Sequence, residues 1–243
     1  LHPINVRWNI DEMASVLEHT RDRIIFVDAG LMDRATALAD RCPWIEHLVR
    51  MGPFGSDGAP SPLRSGVTIS DHDDLLGSHS PIADWPDPEE HDVMAMCSTS
   101  GTTGIPKTVA YSHRTTCLHT MAIGLTDCMR LSGKDTLLAI VPMFHALGWC
   151  FPYACGMLGS RLVLPHRDLG PERILDLLVE HEVTTSVAVP TVWNSVLAAL
   201  TASPGRWDLG RLERIVSGGA APTASMIRGF RDRHGVEVIH SWG

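Results

Sequence analysis

Short runs of apolar residues alternate with amphipathic stretches along most of this chain. Residues 23–28 and 185–189 have the composition of buried strands, and residues 32–41 and 171–181 have the periodicity of helices. Strands that alternate with helices usually form parallel sheets, because each crossover helix returns the chain to the same end of the sheet. The pattern therefore predicts an α/β fold with parallel-rich sheets and helices on both faces.

One segment interrupts this alternation. Residues 52–92 are rich in Gly, Pro, Ser, Asp and His, and we interpret them as a long surface loop with one short helix near residues 71–77. The prediction divides the chain into residues 1–92, a first α/β part that ends in this loop, and residues 93–243, the α/β core. The chain starts without Met and stops after a predicted strand, so both ends are expected to be cuts through a larger protein.

Two helix starts are predicted from capping residues. Asp11 is expected to cap a helix that runs to about residue 19, and Ser112 a helix that runs to about residue 129. Strands are expected at residues 93–97, 108–111 and 135–141. These boundaries place the polar segments described below at strand ends.

Composition narrows the class of protein. Apolar residues make up 44% and charged residues 20%, as in ordinary globular proteins, and the net charge of −8 argues against nucleic acid as a partner. None of the six cysteines forms a C-x-x-C pair, which indicates reduced thiols in a cytoplasmic protein. The 13 histidines show no metal-ligand spacing, and no metal site is predicted. The longest apolar run, residues 146–158, is too short to span a bilayer.

Residues 98–107 carry the clearest chemical signal, and they read Ser-Thr-Ser-Gly-Thr-Thr-Gly-Ile-Pro-Lys. Glycines let backbone N–H groups approach an anion, hydroxyls add short hydrogen bonds, and Lys107 adds a positive charge. The stretch follows a predicted strand, and ligands of α/β sheets bind at the carboxyl ends of strands. It is not a Walker A loop, because Pro106 stands where that pattern requires glycine. These residues predict a site for the polyphosphate of a nucleotide.

The same stretch closely resembles the phosphate-binding signature of the adenylate-forming enzymes, the acyl-CoA synthetase and luciferase superfamily. That signature reads [ST]-S-G-[ST]-T-G-x-P-K-G-V, and Thr108 replaces one of its glycines. The resemblance covers essentially the whole chain, from H-P-x-N-x-R at residues 2–7 onward, and implies part of the large N-terminal region of such an enzyme. The implied phosphate-binding residues are Thr99, Ser100, Gly101, Thr102, Thr103, Gly104 and Lys107, with Lys107 also catalytic.

Four further segments resemble motifs of the family, although the first three alone also fit plain core packing or a tight turn. They are Pro-Met-Phe-His at 142–145, Val-Pro-Thr at 189–191, Ser-Gly-Gly-Ala at 217–220 and His-Ser-Trp-Gly at 240–243. The resemblance implies that His145 lies near the acyl carboxylate as a second catalytic residue. The implied acyl- or adenine-binding residues are Trp149, Val189, Thr191, Gly218, Gly219, Ala220, His240, Ser241, Trp242 and Gly243.

The implied reaction of the parent protein has two steps. A fatty-acid carboxylate attacks the α-phosphate of ATP to give acyl-AMP and pyrophosphate, and the CoA thiol then displaces AMP. ATP, Mg²⁺ and CoA are the implied substrates and cofactors, and the parent is expected to have no transmembrane segment and to form, as one possibility, a homodimer. The family's ribose-binding aspartate, Mg²⁺ contacts, hinge and C-terminal domain have no counterpart in these residues, so this chain alone is expected to be inactive.

Two other functions stay open on the sequence. The first is another adenylating ligase, such as an aryl-CoA ligase or an amino-acid adenylation domain. The second is a protein that binds a nucleotide or an acyl group without catalysis.

Overall fold

The computed structural model describes residues 1–52, 63–99 and 106–242. These residues form two units, Leu1–Ser112 and His113–Gly243. The first contains two sheets and one hydrophobic core, and the second contains one sheet with two hydrophobic cores. Such units reflect packing and do not by themselves define folding domains. The predicted division at residues 92 and 93 therefore stays a prediction.

The first unit contains five strands, three α-helices and one short 3-10 helix, Ala29–Leu31, in its described residues. The strands and α-helices are α1 (Ile10–Thr20), β1 (Ile24–Asp28), α2 (Met32–Arg41), β2 (His47–Met51), β3 (Thr68–Asp71), α3 (His72–Ser78), β4 (Val93–Thr99) and β5 (Lys107–Ser112).

Strands β1, β2 and β3 form a parallel sheet in that order, with Leu48 between Ile25 and Ile69. Helices α1 and α2 pack against the sheet through Leu17 and Leu38, which are at most 3% exposed. Strand β3 was not predicted, because its sequence Thr-Ile-Ser-Asp has one apolar residue and lies in the segment that we interpreted as a loop. Pairing with the neighbouring β2, rather than local sequence preference, makes it a strand.

The predicted cap of helix α1 is wrong by two residues. Asn9 is the N-cap: its side chain accepts a hydrogen bond from Glu12 N at 2.9 Å, and its backbone N–H donates to Glu12 Oε2 at 2.8 Å. Such a reciprocal pair requires the cap to lie three residues before the glutamate. Asp11 therefore lies inside the first turn, where its charge is favourable at the amino end of the helix dipole.

The region around the predicted phosphate loop is a β-hairpin. Strands β4 and β5 pair antiparallel, with Ser98 opposite Thr108 and Thr99 opposite Lys107. The N-terminal segment lies against the other edge of β4, since Leu1 N donates to Met94 O at 3.0 Å and Met96 N donates to Leu1 O at 2.8 Å. The predicted strand before the phosphate signature is confirmed as β4, but its partner β5 is antiparallel, so β4 is not a strand of a parallel sheet.

The second unit is a five-stranded parallel sheet with the strand order β10-β9-β8-β6-β7. Its elements are α4 (His113–Ile123), β6 (Thr136–Ala139), α5 (Ala146–Trp149), α6 (Phe151–Leu158), β7 (Arg161–Val163), α7 (Pro171–Glu180), β8 (Thr185–Ala188), α8 (Pro190–Ala202), β9 (Arg214–Ser217), α9 (Ala224–His234) and β10 (Glu237–His240). Helix α4 is shorter than predicted, because a turn begins at Gly124, whose N–H donates to Met121 O.

Both faces of the central strands of this sheet are buried. Leu138 of β6 belongs to a core with Trp193 and Phe230 on helices α8 and α9. The adjacent Leu137 belongs to a second core, on the opposite face, with Phe151 of α6. The predicted α/β class, with parallel-rich sheets and helices on both faces, is confirmed.

A buried ion pair joins the amino ends of β6 and β9. Arg214 Nη2 lies 2.8 Å from Asp135 Oδ1, and both side chains are at most 7% exposed. Thr184 Oγ1 donates to Asp135 Oδ1 at 2.8 Å, and Ser132 N donates to Asp135 Oδ2 at 2.8 Å. Burial opposes ionisation of Asp135, but the hydrogen bonds from Thr184 and Ser132 and the charge of Arg214 outweigh it and lower the pKa of this carboxyl.

This ion pair gives a prediction on stability. Arg214→Met leaves the buried Asp135 carboxylate without its counter-charge, and we expect the free energy of unfolding to fall by about 3–5 kcal/mol. The matched control is Arg173→Met, since Arg173 forms an exposed pair with Glu180. An exposed pair contributes about 1 kcal/mol or less. Urea denaturation measures both variants, and equal effects would contradict the assigned role of Arg214.

Candidate active site

The first unit presents the ends of the predicted phosphate loop at the tip of the β4–β5 hairpin. Thr99 and Lys107 form the last described pair, and both are exposed. Thr99 Oγ1 donates to Lys107 O at 3.4 Å, which ties the two strands together at this point. The predicted residues between them, Ser100, Gly101, Thr102, Thr103 and Gly104, lie outside the described residues.

Sequence reasoning missed a polar network next to this tip. His2 Nε2 lies 3.2 Å from Ser98 Oγ, and Ser98 Oγ lies 2.8 Å from Thr108 Oγ1. His2 Nδ1 lies 2.7 Å from Asp22 Oδ2. The signal in the sequence was a histidine beside a proline at residues 2 and 3, but nothing local links it to a hairpin almost one hundred residues later.

In the second unit, a left-handed turn carries Trp149. Residues 146–150 all have positive φ, between 40° and 62°. Only Gly148 among them adopts this region without strain, and each other residue costs about 1–2 kcal/mol. Leu147 is fully buried and anchors the turn, while Gly148 N and Trp149 N both donate to His145 O, at 2.9 and 3.3 Å. Strained backbone held by its surroundings is frequent at functional sites, which makes this turn a candidate.

The turn places the Trp149 indole against residues that follow strands β8, β9 and β10. A Cβ atom on Gly218 would lie 2.8 Å from Trp149 Cη2 and 3.2 Å from Ser241 O. Gly219, with φ of 78°, would place a Cβ 3.3 Å from Val189 Cγ1 and 4.0 Å from Trp149 Cζ2. The structure therefore brings together five of the residues predicted to contact acyl or adenine groups.

The other predicted site residues of the second unit lie outside this cluster around Trp149. His145 stands at the start of the left-handed turn, exposed, with its ring centroid 4.7 Å from that of Phe144. Thr191 in the first turn of α8, Ala220 after the glycine pair and His240 at the end of β10 are also exposed. Trp242 is 93% exposed, and Gly243 lies outside the described residues.

The buried Trp193 stabilises the strand that leads to the Gly218–Gly219 pair. Trp193 Nε1 donates to Val216 O at 3.0 Å, and its ring packs edge-on against Phe230 at a centroid distance of 6.1 Å. Ser241 N donates to Ser217 O at 2.9 Å, so β9 and β10 stay paired up to this point. The backbone that faces Trp149 therefore lies at the hydrogen-bonded carboxyl end of the sheet.

Buried cysteines are poor candidates for a catalytic nucleophile. Burial, with a smaller effect of the Asp135 charge, raises the pKa of Cys155 to about 11. Burial likewise raises the pKa of Cys42. Since the thiolate is the reactive form, neither thiol is activated at neutral pH.

A cavity of about 580 Å³ lies in the first unit along β1, where Phe26 is 59% exposed. Its walls are mainly apolar, and they include none of the residues predicted for a site. Within the described ranges, no three His, Cys, Asp or Glu side chains are grouped to hold a metal ion, and no helix has the length and apolarity needed to cross a membrane.

The contact between Gly218 and Trp149 gives a prediction on packing. Gly218→Ala forces the indole or the sheet edge to move, and we expect the free energy of unfolding to fall by about 1–3 kcal/mol. In a Trp149→Phe background this loss should shrink, because phenylalanine lacks the outer indole ring that the new methyl group meets. Urea denaturation of the single and double variants tests this.

Gly156→Ala is the control for that experiment. Gly156 lies in helix α6 with nothing within 4 Å of an added Cβ, so alanine should be neutral or slightly stabilising. An equal loss for Gly218→Ala in both backgrounds would show that the indole is not the obstacle.

Comparison with known proteins identifies the family. The model of the AMP-binding enzyme family matches residues 1–243. The chain is 40% identical over 243 residues to the 3-methylmercaptopropionyl-CoA ligase of Ruegeria pomeroyi, and 38% identical over 242 residues to the medium-chain-fatty-acid–CoA ligase of Ectopseudomonas oleovorans. All of this chain is covered, but only 44% and 43% of those relatives.

A solved structure, that of the anthranilate CoA ligase AuaEII in complex with anthranoyl-AMP, has the same fold. It superposes with a TM-score of 0.83 at 20% identity, over 100% of this chain and 45% of that one. Family model, relatives and fold agree with the phosphate signature at residues 98–107, and the chain belongs to the AMP-binding enzyme family.

Proposed function

We propose that the protein carrying this sequence is an AMP-forming acyl-CoA ligase that acts on a fatty acid. The observation that supports this most directly is the hairpin tip, where Thr99 and Lys107 flank the family's phosphate signature on paired strands. The chain spans about 44% of the length of its curated relatives, so the activity is that of a longer protein and this chain alone is expected to be inactive.

In the proposed first step, a carboxylate oxygen of the acid attacks the α-phosphorus of ATP. The bond from that phosphorus to the bridging oxygen breaks, and pyrophosphate leaves with the electron pair. The phosphate loop, residues 99–104, and Lys107 hold the β- and γ-phosphates and stabilise the charge that develops on them. A carboxylate is already a nucleophile, so this step needs no general base.

In the proposed second step, the sulfur of CoA attacks the acyl carbon. The bond from that carbon to the AMP oxygen breaks, AMP leaves, and the thiol proton is released. Both steps depend mainly on positioning. His145 is proposed to lie beside the acyl carboxylate as the second catalytic residue, a role that its exposed position at the start of the left-handed turn allows.

The acyl and adenine groups are proposed to lie on the surface formed by Trp149, Val189 and the glycine pair. Two features support an apolar acid: the indole, and the valine that is 38% exposed beside it. Thr191, Ala220, His240, Ser241, Trp242 and Gly243 complete the proposed contacts.

Three further features belong to the same proposal. Mg²⁺ is proposed to enter as the counter-ion of the ATP substrate. The cytoplasm is the proposed compartment, supported by six cysteines, none of which forms a disulfide. The parent enzyme is proposed to be a homodimer whose partners are small molecules.

Lys107→Ala tests the proposed phosphate site. Lys107 and Lys134 are the only lysines in the sequence, and both are exposed. In the full-length protein, Lys107→Ala should lower acid-dependent ATP–pyrophosphate exchange about 10²-fold, as expected for loss of one charge-stabilising group. Lys134→Ala, the matched control, should exchange at the wild-type rate. Equal exchange rates for the two variants would show that Lys107 does not belong to the phosphate site.

The choice of acid tests the proposed substrate. Exchange is measured with acetate, 3-methylmercaptopropionate, benzoate, octanoate, palmitate and a set of amino acids. We expect the highest kcat/KM with octanoate or palmitate, because a longer apolar chain buries more surface against Trp149 and Val189. Exchange with benzoate or amino acids alone would favour an aryl or amino-acid ligase. If the folded protein binds ATP but catalyses pyrophosphate exchange with none of the acids, a nucleotide-binding protein without catalytic activity would be favoured.

A further inference from the structure

A chain of side-chain hydrogen bonds reaches from the N-terminal segment to the hairpin that carries the phosphate signature. It runs from Asp22 to His2 at 2.7 Å, from His2 to Ser98 at 3.2 Å, and from Ser98 to Thr108 at 2.8 Å. The His2 side chain is 5% exposed and that of Asp22 is 16% exposed. We call these four residues the His2 clamp.

The chemistry of the groups sets the direction of the hydrogen bonds when His2 is neutral. An ionised carboxylate only accepts, so Nδ1 of His2 carries the proton and donates to Asp22. Nε2 is then an acceptor, and the hydroxyl of Ser98 donates a hydrogen bond to it. Ser98 Oγ in turn accepts from the hydroxyl of Thr108. Every donor in the clamp is thereby used, and Asp22 fixes the orientation of the ring.

The clamp and the proposed phosphate contacts occupy opposite faces of the hairpin. Ser98 and Thr108 are directly paired, as are Thr99 and Lys107, and successive pairs point to opposite faces of a β-ribbon. The clamp therefore contacts the Ser98–Thr108 pair on one face of the hairpin. Thr99 and Lys107 are exposed on the opposite face.

The clamp uses a residue that departs from the family signature. Thr108 stands where the family signature has glycine, and glycine has no hydroxyl to donate to Ser98. Backbone hydrogen bonds between Leu1 and β4 place His2 next to Ser98, so the ring approaches from a segment that is distant in sequence.

We propose that His2 is a positioning residue, which acts through Ser98 and Thr108 to hold the hairpin tip in the geometry that binds the phosphates of ATP. This inference rests on the proposed function only for the ligand. The mechanical part, a hairpin tied to the N-terminal segment by a side chain, is independent of it. A tip that is held in place before ATP binds loses less conformational freedom on binding.

Two amide substitutions at His2 distinguish the roles of the two imidazole nitrogens. The amide of asparagine lies near the position of Nδ1, and that of glutamine near Nε2. His2→Asn should therefore keep the contact with Asp22 and lose Ser98, whereas His2→Gln should keep Ser98. Thr108→Val, which removes only the hydroxyl from a side chain of the same shape, interrupts the clamp at its other end.

Hydrogen exchange of the full-length protein without ATP is the first measurement. His2→Asn and Thr108→Val should speed exchange of the β4 and β5 backbone amides about fivefold, the factor given by one net hydrogen bond. His2→Gln should recover most of this protection, and exchange in β8 and β9 should not change in any variant. Wild-type exchange in β4 and β5 for His2→Asn, or equal acceleration for the asparagine and glutamine variants, would overturn the inference.

Kinetics of the same variants test the consequence for ATP. We expect KM for ATP in pyrophosphate exchange to rise about fivefold in His2→Asn, with recovery in His2→Gln and no change in KM for the acid. A merely structural loss would raise both KM values together, which would also overturn the inference. If the wild-type protein shows no exchange with any acid, the proposed function fails, and the hydrogen-exchange result alone decides the clamp.

Discussion

Burial of both faces of the central strands is the constraint on which the second unit depends. Leu137 and Leu138 of β6 face separate cores, so helices must cover both sides and every connection must pass from one end of the sheet to the other. Parallel strands then end at one edge. Val189, Gly218 and Ser241, which follow three adjacent strands, meet there because of this geometry, although they are far apart in sequence.

Two backbone segments form the surface around Trp149: the hydrogen-bonded end of β9 at Gly218, and the strained left-handed turn at residues 146–150. Gly218 lies at the end of a strand that Trp193 holds through Val216 O, and it has no room for a side chain. Trp149 approaches it from a left-handed turn whose strain is offset by burial of Leu147 and by hydrogen bonds to His145 O. A flat apolar ring that rests on bare backbone is suited to contact an acyl chain or a purine.

Much of the fold and part of the candidate site followed from residue patterns. Helix α2 has the predicted ends, and strands β6 and β8 lie within the ranges expected for them, residues 135–141 and 185–189, since apolar residues run through 137–141 and 187–189. Strand β3 and the Asn9 cap were missed. The first depends on pairing with β2, and the second on a reciprocal contact with Glu12. The left-handed turn was also missed, because only one of its five residues is a glycine.

The sequence by itself determined the α/β class, the family and the position of the phosphate signature, because strand and helix periodicities and a dense run of Gly, Ser and Thr are local properties. Only the tertiary structure decided that the signature joins two antiparallel strands, that Trp149 meets Gly218, and that His2 reaches Ser98. Each of these depends on which distant segments pack together. That choice is set by the burial of apolar surface over the whole chain, which no local pattern encodes.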